Sequence, residues 1–310
     1  MKLFYWLANF FERFSRGRNT LQLAQWLDMT RDELFAIVPK YQEFSIPKKS
    51  GGTRKIHAPD PELKAVQRRI LRRLLAGLKS HRAAVGFEKG KSIVTGARRH
   101  TDKDLVLRFD IVDFFPSTDQ KTILRYFRRI GWNGRVAKLL TRLVTHENSL
   151  PQGAPTSPRL SNLVNYIMDY LLENFTSYYL GDYTRYADDI TVSFSDPDLD
   201  LDEIIDGVFR IIRRSGYRPH LGRKLNVRRR GQRQFVNGLV VNEKVNLPRE
   251  KRRWLRAVKH RAKASWNWID PEHPDKERPT LQPNPTISRS EFEGWLALES
   301  MVESQREISD

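Results

Sequence analysis

Two adjacent carboxylates set between two strand-like segments constrain this chain more than any other feature. Tyr186-Ala187-Asp188-Asp189 follows Asp182-Tyr183-Thr184-Arg185 and precedes Ile190-Thr191-Val192-Ser193-Phe194. Apolar Ile190, Val192 and Phe194 alternate with Thr191 and Ser193, the period of a half-buried strand. Tyr183 and Tyr186 are strand-favouring aromatics on the other side. The pattern predicts a tight turn between strands that carries both acids. Alone, an Asp-Asp pair is an ordinary solvated turn, because Asp is a good turn residue. Here a third acid joins it. Leu105 to Phe109 reads as a buried strand with Asp110 at its end. Carboxylates from neighbouring strands concentrate charge that a bound cation stabilises. Two Mg²⁺ ions need such oxygen ligands from both sides, plus substrate phosphates.

The overall charge suits a polyanionic partner. The 310 residues include 55 basic and 37 acidic side chains, a formal charge of +18, and nucleic acid is the first partner that such an excess suggests. Basic residues crowd from Arg223 onward. Arg249, Arg252, Arg253, Arg256 and Lys259 are spaced to share one helical face. Such a face grips a duplex backbone without reading sequence; a solvated charged face is the alternative. The chain has no cysteine, which excludes disulfides and thiolate zinc sites and fits a reducing cytoplasm. The apolar stretch from Leu3 to Phe14 is too short to span a bilayer. It reads as a docked helix, with an interfacial or partner-binding helix as the alternative.

Helices alternate with short antiparallel strands, so the fold class is α+β rather than a wound parallel sheet. Two short helices are expected over residues 20–38, the second started by a capping box at Thr30. Tyr41 to His57 reads as a β-hairpin with a basic tip around Ser50-Gly51-Gly52. Helices are expected over 61–80, 119–130, 134–146, 161–179, 199–215 and 249–268, with a short hairpin over 233–245 and a last helix from about 290. Residues 270–285 are Pro-rich and read as a linker.

Leu150-Pro151-Gln152-Gly153-Ala154-Pro155-Thr156-Ser157-Pro158 is a turn opening a helix. Taken with Asp110 and the Tyr-Ala-Asp-Asp turn, in this order, it resembles the reverse transcriptases. The resemblance runs from the basic hairpin to at least Val241. It implies a right-hand architecture: N-terminal helices and fingers over 1–104, a palm over 105–245 with an interleaved fingers segment at about 119–149, and a thumb over 246–310. It also implies an RNA-directed DNA polymerase that uses deoxynucleoside triphosphates and two Mg²⁺ ions, for which Mn²⁺ can substitute. By that resemblance, Asp110 and Asp188 bridge the metals with the Ile111 backbone carbonyl, and Asp189 completes the acidic cluster less directly. Phe115 matches the aromatic beneath the incoming sugar, where a 2′-hydroxyl has no room; plain core packing is its alternative. Gln152 and Gly153 match the loop that contacts the nascent base pair. Lys48 and Arg54 match the finger residues that grip the triphosphate, although Lys49 and Lys55 could take their places. Lys224 falls where a lysine lies near the leaving pyrophosphate.

Within that family the chain looks most like the retron type, on Val85-Gly86-Phe87-Glu88-Lys89-Gly90, Asp113-Phe114-Phe115-Pro116-Ser117 and its compact length. Two retron hallmarks stand in altered form, as Gly96-Ala97-Arg98-Arg99-His100 and Val236-Asn237-Gly238. In retrons these elements are associated with recognising the cognate RNA. His100 therefore either faces RNA or sits in the core, and Asn237 either faces RNA or makes an Asn-Gly hairpin turn. The resemblance implies a structured non-coding RNA as template and primer, a single-stranded DNA product, and antiphage defence with a separate effector protein. A reverse transcriptase of another bacterial lineage and a non-catalytic nucleic-acid scaffold are the competing readings.

Overall fold

The computed structural model describes residues 17–48, 51–222, 225–266 and 289–307, with side chains of 261–266, 289 and 305–307 set aside. The apolar stretch 3–14, Lys49, Ser50, Arg223, Lys224 and the Pro-rich segment 270–285 lie outside the described residues.

Local signals set most element boundaries. Asn19 and Thr30 form capping boxes that start helices Thr20–Leu27 and Arg31–Ala36. Strands β1 (Tyr41–Pro47) and β2 (Thr53–Pro59) make the expected hairpin, pairing Ile46 with Arg54 and Tyr41 with Pro59. Asp60 caps the next helix by accepting from the Leu63 amide at 2.8 Å, with Pro61 at its first position. Sequence periodicity predicts one helix to about residue 80. Instead the α-helix Pro61–Arg69 continues as a π-helical turn, Ile70–Leu75. Buried Arg159 reaches back to the Leu75 and Leu78 carbonyls, satisfying acceptors at the end of that run.

The central sheet has strand order β4-β5-β3-β6, all antiparallel: β3 Leu105–Asp110, β4 Asp182–Tyr186, β5 Asp189–Phe194 and β6 Asn226–Arg229. Leu105, Leu107 and Phe109 point into a core made with helices Tyr166–Tyr178 and Leu201–Arg214. A second core joins the N-terminal helices to helices Gln120–Arg129 and Gly134–Val144. A third core packs helix Ile93–Arg98, the hairpin β7 (Phe235–Val236) and β8 (Leu239–Val240), and helices Arg249–Trp266 and Arg289–Glu307 against Val106. Trp254 and Trp295 meet edge to face in it, at 5.8 Å.

The alternation in β5 predicts one solvated face, but Thr191 and Ser193 are buried. The segment following helix Ile93–Arg98 reaches Ser193. His100, fully buried, contacts Ser193 Oγ and Thr184 Oγ1 at 2.7 Å each, one from either ring nitrogen. Both of its polar atoms are thereby satisfied inside the protein. Burial, with the Arg99 and Lys103 charges adding to it, pulls His100 down to about 3, so the ring is neutral. This corrects the RNA-facing reading: His100 fastens a helix onto the polar face of the sheet.

Candidate active site

The acidic turn forms as the residues dictate. Tyr186 pairs with Asp189, leaving Ala187 and Asp188 as a two-residue loop. Ala187 takes φ 55°, a left-handed conformation more natural to glycine. Two contacts hold it there. The Ile111 amide, just past β3, donates to the Asp188 carbonyl at 3.1 Å. From behind, Arg185 Nη1 donates to the Ala187 carbonyl at 3.1 Å.

Arg185 is fully buried and pairs with buried Asp169 through two bonds of 2.7 Å, Nε to Oδ1 and Nη2 to Oδ2. The Tyr183 hydroxyl donates to Asp169 Oδ1 at 2.6 Å. Burial alone would pull Arg185 down, but the Asp169 carboxylate outweighs it and leaves the guanidinium firmly charged. Burial, then the Asp169 charge, pushes Tyr183 well above the usual phenol range. Sequence reasoning missed this pair. Its signals were an acid on the apolar stripe of helix Tyr166–Tyr178 and an arginine inside a buried strand.

Register brings the three aspartates together. Asp110 at the end of β3 is the cross-strand partner of Asp189, next to Asp188 in the turn. Asp110, Asp188 and Ile111 line a cleft of about 740 Å³, along with Phe115, Gln152, Lys48 and Arg54. Asp189 is not among the lining residues; it accepts from Arg108 Nη2 at 2.6 Å. His220, unflagged by the sequence, also lines the cleft. Its amide donates to the Asp110 carbonyl at 2.7 Å and its Nε2 lies 3.5 Å from Asp110 Oδ1.

The other wall is the β1–β2 hairpin and the loop behind it. Lys48 closes the hairpin turn through backbone bonds with Gly51 and Gly52. Gly153, at φ 128°, packs so tightly that a Cβ would meet Ile56 Cγ2 at 2.8 Å and the His57 carbonyl at 3.0 Å. Only glycine lets the loop approach β2, where the Gln152 carbonyl accepts from the His57 amide at 2.8 Å. Phe87, also at positive φ, stacks obliquely on Tyr186 at the cleft mouth. Carboxylates from the sheet and cations from the hairpin, lining one cleft, suit a polyphosphate held with hard divalent cations.

The altered hallmarks meet in space. A Cβ on Gly96 would lie 3.5 Å from Asn237 Nδ2. Asn237 and Gly238, at φ 50° and 83°, form the two-residue turn of the β7–β8 hairpin, which accounts for both residue types. On helix Arg249–Trp266, Arg249, Arg252, Arg253 and Arg256 are exposed while Leu255 faces the core. Lys259, expected on the same face, instead pairs with Glu299.

Comparison with known proteins agrees with this geometry. The family described as reverse transcriptase (RNA-dependent DNA polymerase) matches residues 46–221. The chain belongs to the reverse transcriptase family. It is 37% identical over 241 residues to the retron Mx65 reverse transcriptase of Myxococcus xanthus, covering 72% of this chain and 56% of that one. To the retron Ec86 reverse transcriptase of Escherichia coli it is 35% identical over 233 residues, covering 71% and 69%. The chain thus spans a little over half to about two thirds of these relatives. Among solved structures, telomerase from Candida albicans in complex with a fragment of telomeric RNA shares the fold, at TM-score 0.50 and 12% identity over 84% of this chain and 55% of that one. The α+β, right-hand architecture expected from the sequence is therefore the observed one. Among the described residues, no helix is long and apolar enough to cross a membrane.

Proposed function

We propose that this chain is a retron-type RNA-directed DNA polymerase that copies part of a bound structured RNA into single-stranded DNA. The observation that carries the reading is one cleft lined both by Asp110 and Asp188 from the central sheet and by Lys48 and Arg54 from the β1–β2 hairpin. Asp110, Asp188 and the Ile111 carbonyl would hold Mg²⁺, with Mn²⁺ as a substitute, since they offer hard oxygen donors from residues that line the cleft. When bound, such ions lower the pKa of the primer 3′-hydroxyl and neutralise the leaving pyrophosphate.

The side chains position and neutralise the rest. Lys48 is a mobile point charge and Arg54 a fixed fork, a pair suited to a hairpin that closes on a deoxynucleoside triphosphate. Phe115 presents its ring to the sugar, and Gln152 contacts the nascent base pair, held in place by Gly153. Asp189 acts indirectly, through Arg108. The fingers would span 1–104, the palm 105–245 and the thumb 246–310. Likeness to retron enzymes supports a cytoplasmic role in antiphage defence beside a separate effector protein. RNA and DNA recovered with the natively expressed protein should be one structured RNA joined to single-stranded DNA of fixed length. Recovery of heterogeneous RNA with no DNA sinks the retron reading.

The exposed arginines of helix Arg249–Trp266 would track the phosphate backbone. Affinity for primer-template should fall with salt at a log–log slope near −0.9 per neutralised phosphate on duplex DNA. Replacing Arg252, Arg253 and Arg256 together by Gln should flatten that slope. An unchanged slope removes this face from the nucleic-acid path.

A further inference from the structure

We propose a second metal site, outside the catalytic carboxylates, at His57, His146 and Glu147, suited to zinc or a similar borderline transition ion. One ligand atom from each of the three residues lies within 4.8 Å of the others. The two imidazole rings face each other at 5.1 Å, tilted by 59°. Two imidazoles and one carboxylate make a three-ligand set that leaves a fourth position for water, and they match zinc's preference for nitrogen with oxygen. In a tetrahedral site with bonds of about 2.0–2.1 Å, ligand atoms sit about 3.3–3.4 Å apart. The cluster therefore has to contract by about 1.5 Å at most, and the exposed Glu147 side chain is free to supply most of that movement.

The histidines come to the site already held in orientation. His146 stacks on Tyr41 at 4.3 Å, and the Tyr41 hydroxyl accepts from Gln67 Nε2 at 2.9 Å. His57 is half-buried, with its Nε2 3.4 Å from Glu43 Oε2. Lys55 holds that same Glu43 at 2.8 Å, so Glu43 serves to orient the ring while Glu147 supplies the ligating oxygen. The donors also come from two different elements. His57 lies on β2, and His146 and Glu147 lie in the turn that leads to Gln152.

That placement gives the ion a structural consequence. The His57 amide already donates to the Gln152 carbonyl at 2.8 Å. An ion shared by His57 and His146 would add a second fastening between the hairpin that carries Lys48 and Arg54 and the loop that carries Gln152. It would set the base about which that hairpin closes. This consequence rests on the polymerase reading; the binding itself does not.

The test is calorimetric titration of zinc into the intact chain in excess magnesium, which keeps the hard oxygen site occupied. Visible absorption with cobalt serves as a second reporter of coordination. One equivalent should bind. Glu147→Gln should weaken it by at least about tenfold, and the pair His57→Gln with His146→Gln should abolish it. Glu147 is exposed, so its variant reads binding independently of folding. His220→Gln should leave binding unchanged. The proposal falls if the intact chain takes up no zinc, if Glu147→Gln and the histidine pair bind it undiminished, or if binding is lost with His220→Gln instead.

Discussion

Asp188→Asn should lower nucleotide incorporation by roughly 10³-fold or more and leave RNA affinity nearly intact. The substitution keeps the shape of the turn, because the backbone carbonyl that accepts from Ile111 is unchanged. What it removes is one negative charge from the cleft wall. Asp110→Asn should act alike, since both carboxylates line the same space. Asp189→Asn should cost less, because its carboxylate already serves Arg108 rather than the cleft. Phe115→Ala is the contrasting case. It should retain deoxynucleotide incorporation while relaxing discrimination against ribonucleotides, by up to roughly 10²-fold. Single-turnover primer extension on an RNA template, with binding measured separately, resolves all four. Wild-type incorporation by Asp188→Asn would remove the catalytic assignment.

The acidic turn was legible as a turn because strand alternation and an Asp pair are short-range signals; its reading as a metal site needed the distant Asp110 as well. The basic β1–β2 hairpin and the capping box at Thr30 are local in the same way. Features that depend on distant partners were not legible. Strand β6 is a charged segment, Asn226-Val227-Arg228-Arg229, and its basic run reads as part of a nucleic-acid track. In the fold it is a sheet edge, and its arginines are used locally. Arg229 donates to the Pro197 carbonyl at 2.8 Å, and the adjacent Arg230 pairs with Asp104 at 2.7 Å. Charged side chains are a common way of protecting such an edge. The π-turn at 70–75 ends on a carbonyl that Arg159, more than eighty residues away, bonds, a contact that the local periodicity of leucines cannot register. His100 was ambiguous for the same reason: only the sheet it covers shows that its ring nitrogens are already taken.

Asp169→Ala should destabilise the protein by about 3–5 kcal/mol, because it leaves the Arg185 guanidinium buried without a counterion. Replacing both partners by apolar residues, Asp169→Leu with Arg185→Met, should recover most of that loss, since a buried ion pair contributes little net stability over well-packed hydrophobes. The two variants separate stability from positioning. Arg185 is the residue that grips the Ala187 carbonyl and holds the left-handed turn from behind. With the pair gone, the turn keeps its strand pairing and its bond to Ile111 but loses that anchor. Asp188 then occupies a broader range of positions, and displacements of about 1 Å at a reacting centre cost about 10²-fold in rate. The double variant should therefore melt near the wild-type temperature yet extend primers far more slowly, with nucleotide affinity less affected than the maximal rate. Recovery of both stability and rate would mean that the ion pair only fills the core. A single Asp169→Ala variant as stable as the wild type would mean that the buried charge is not what the geometry implies.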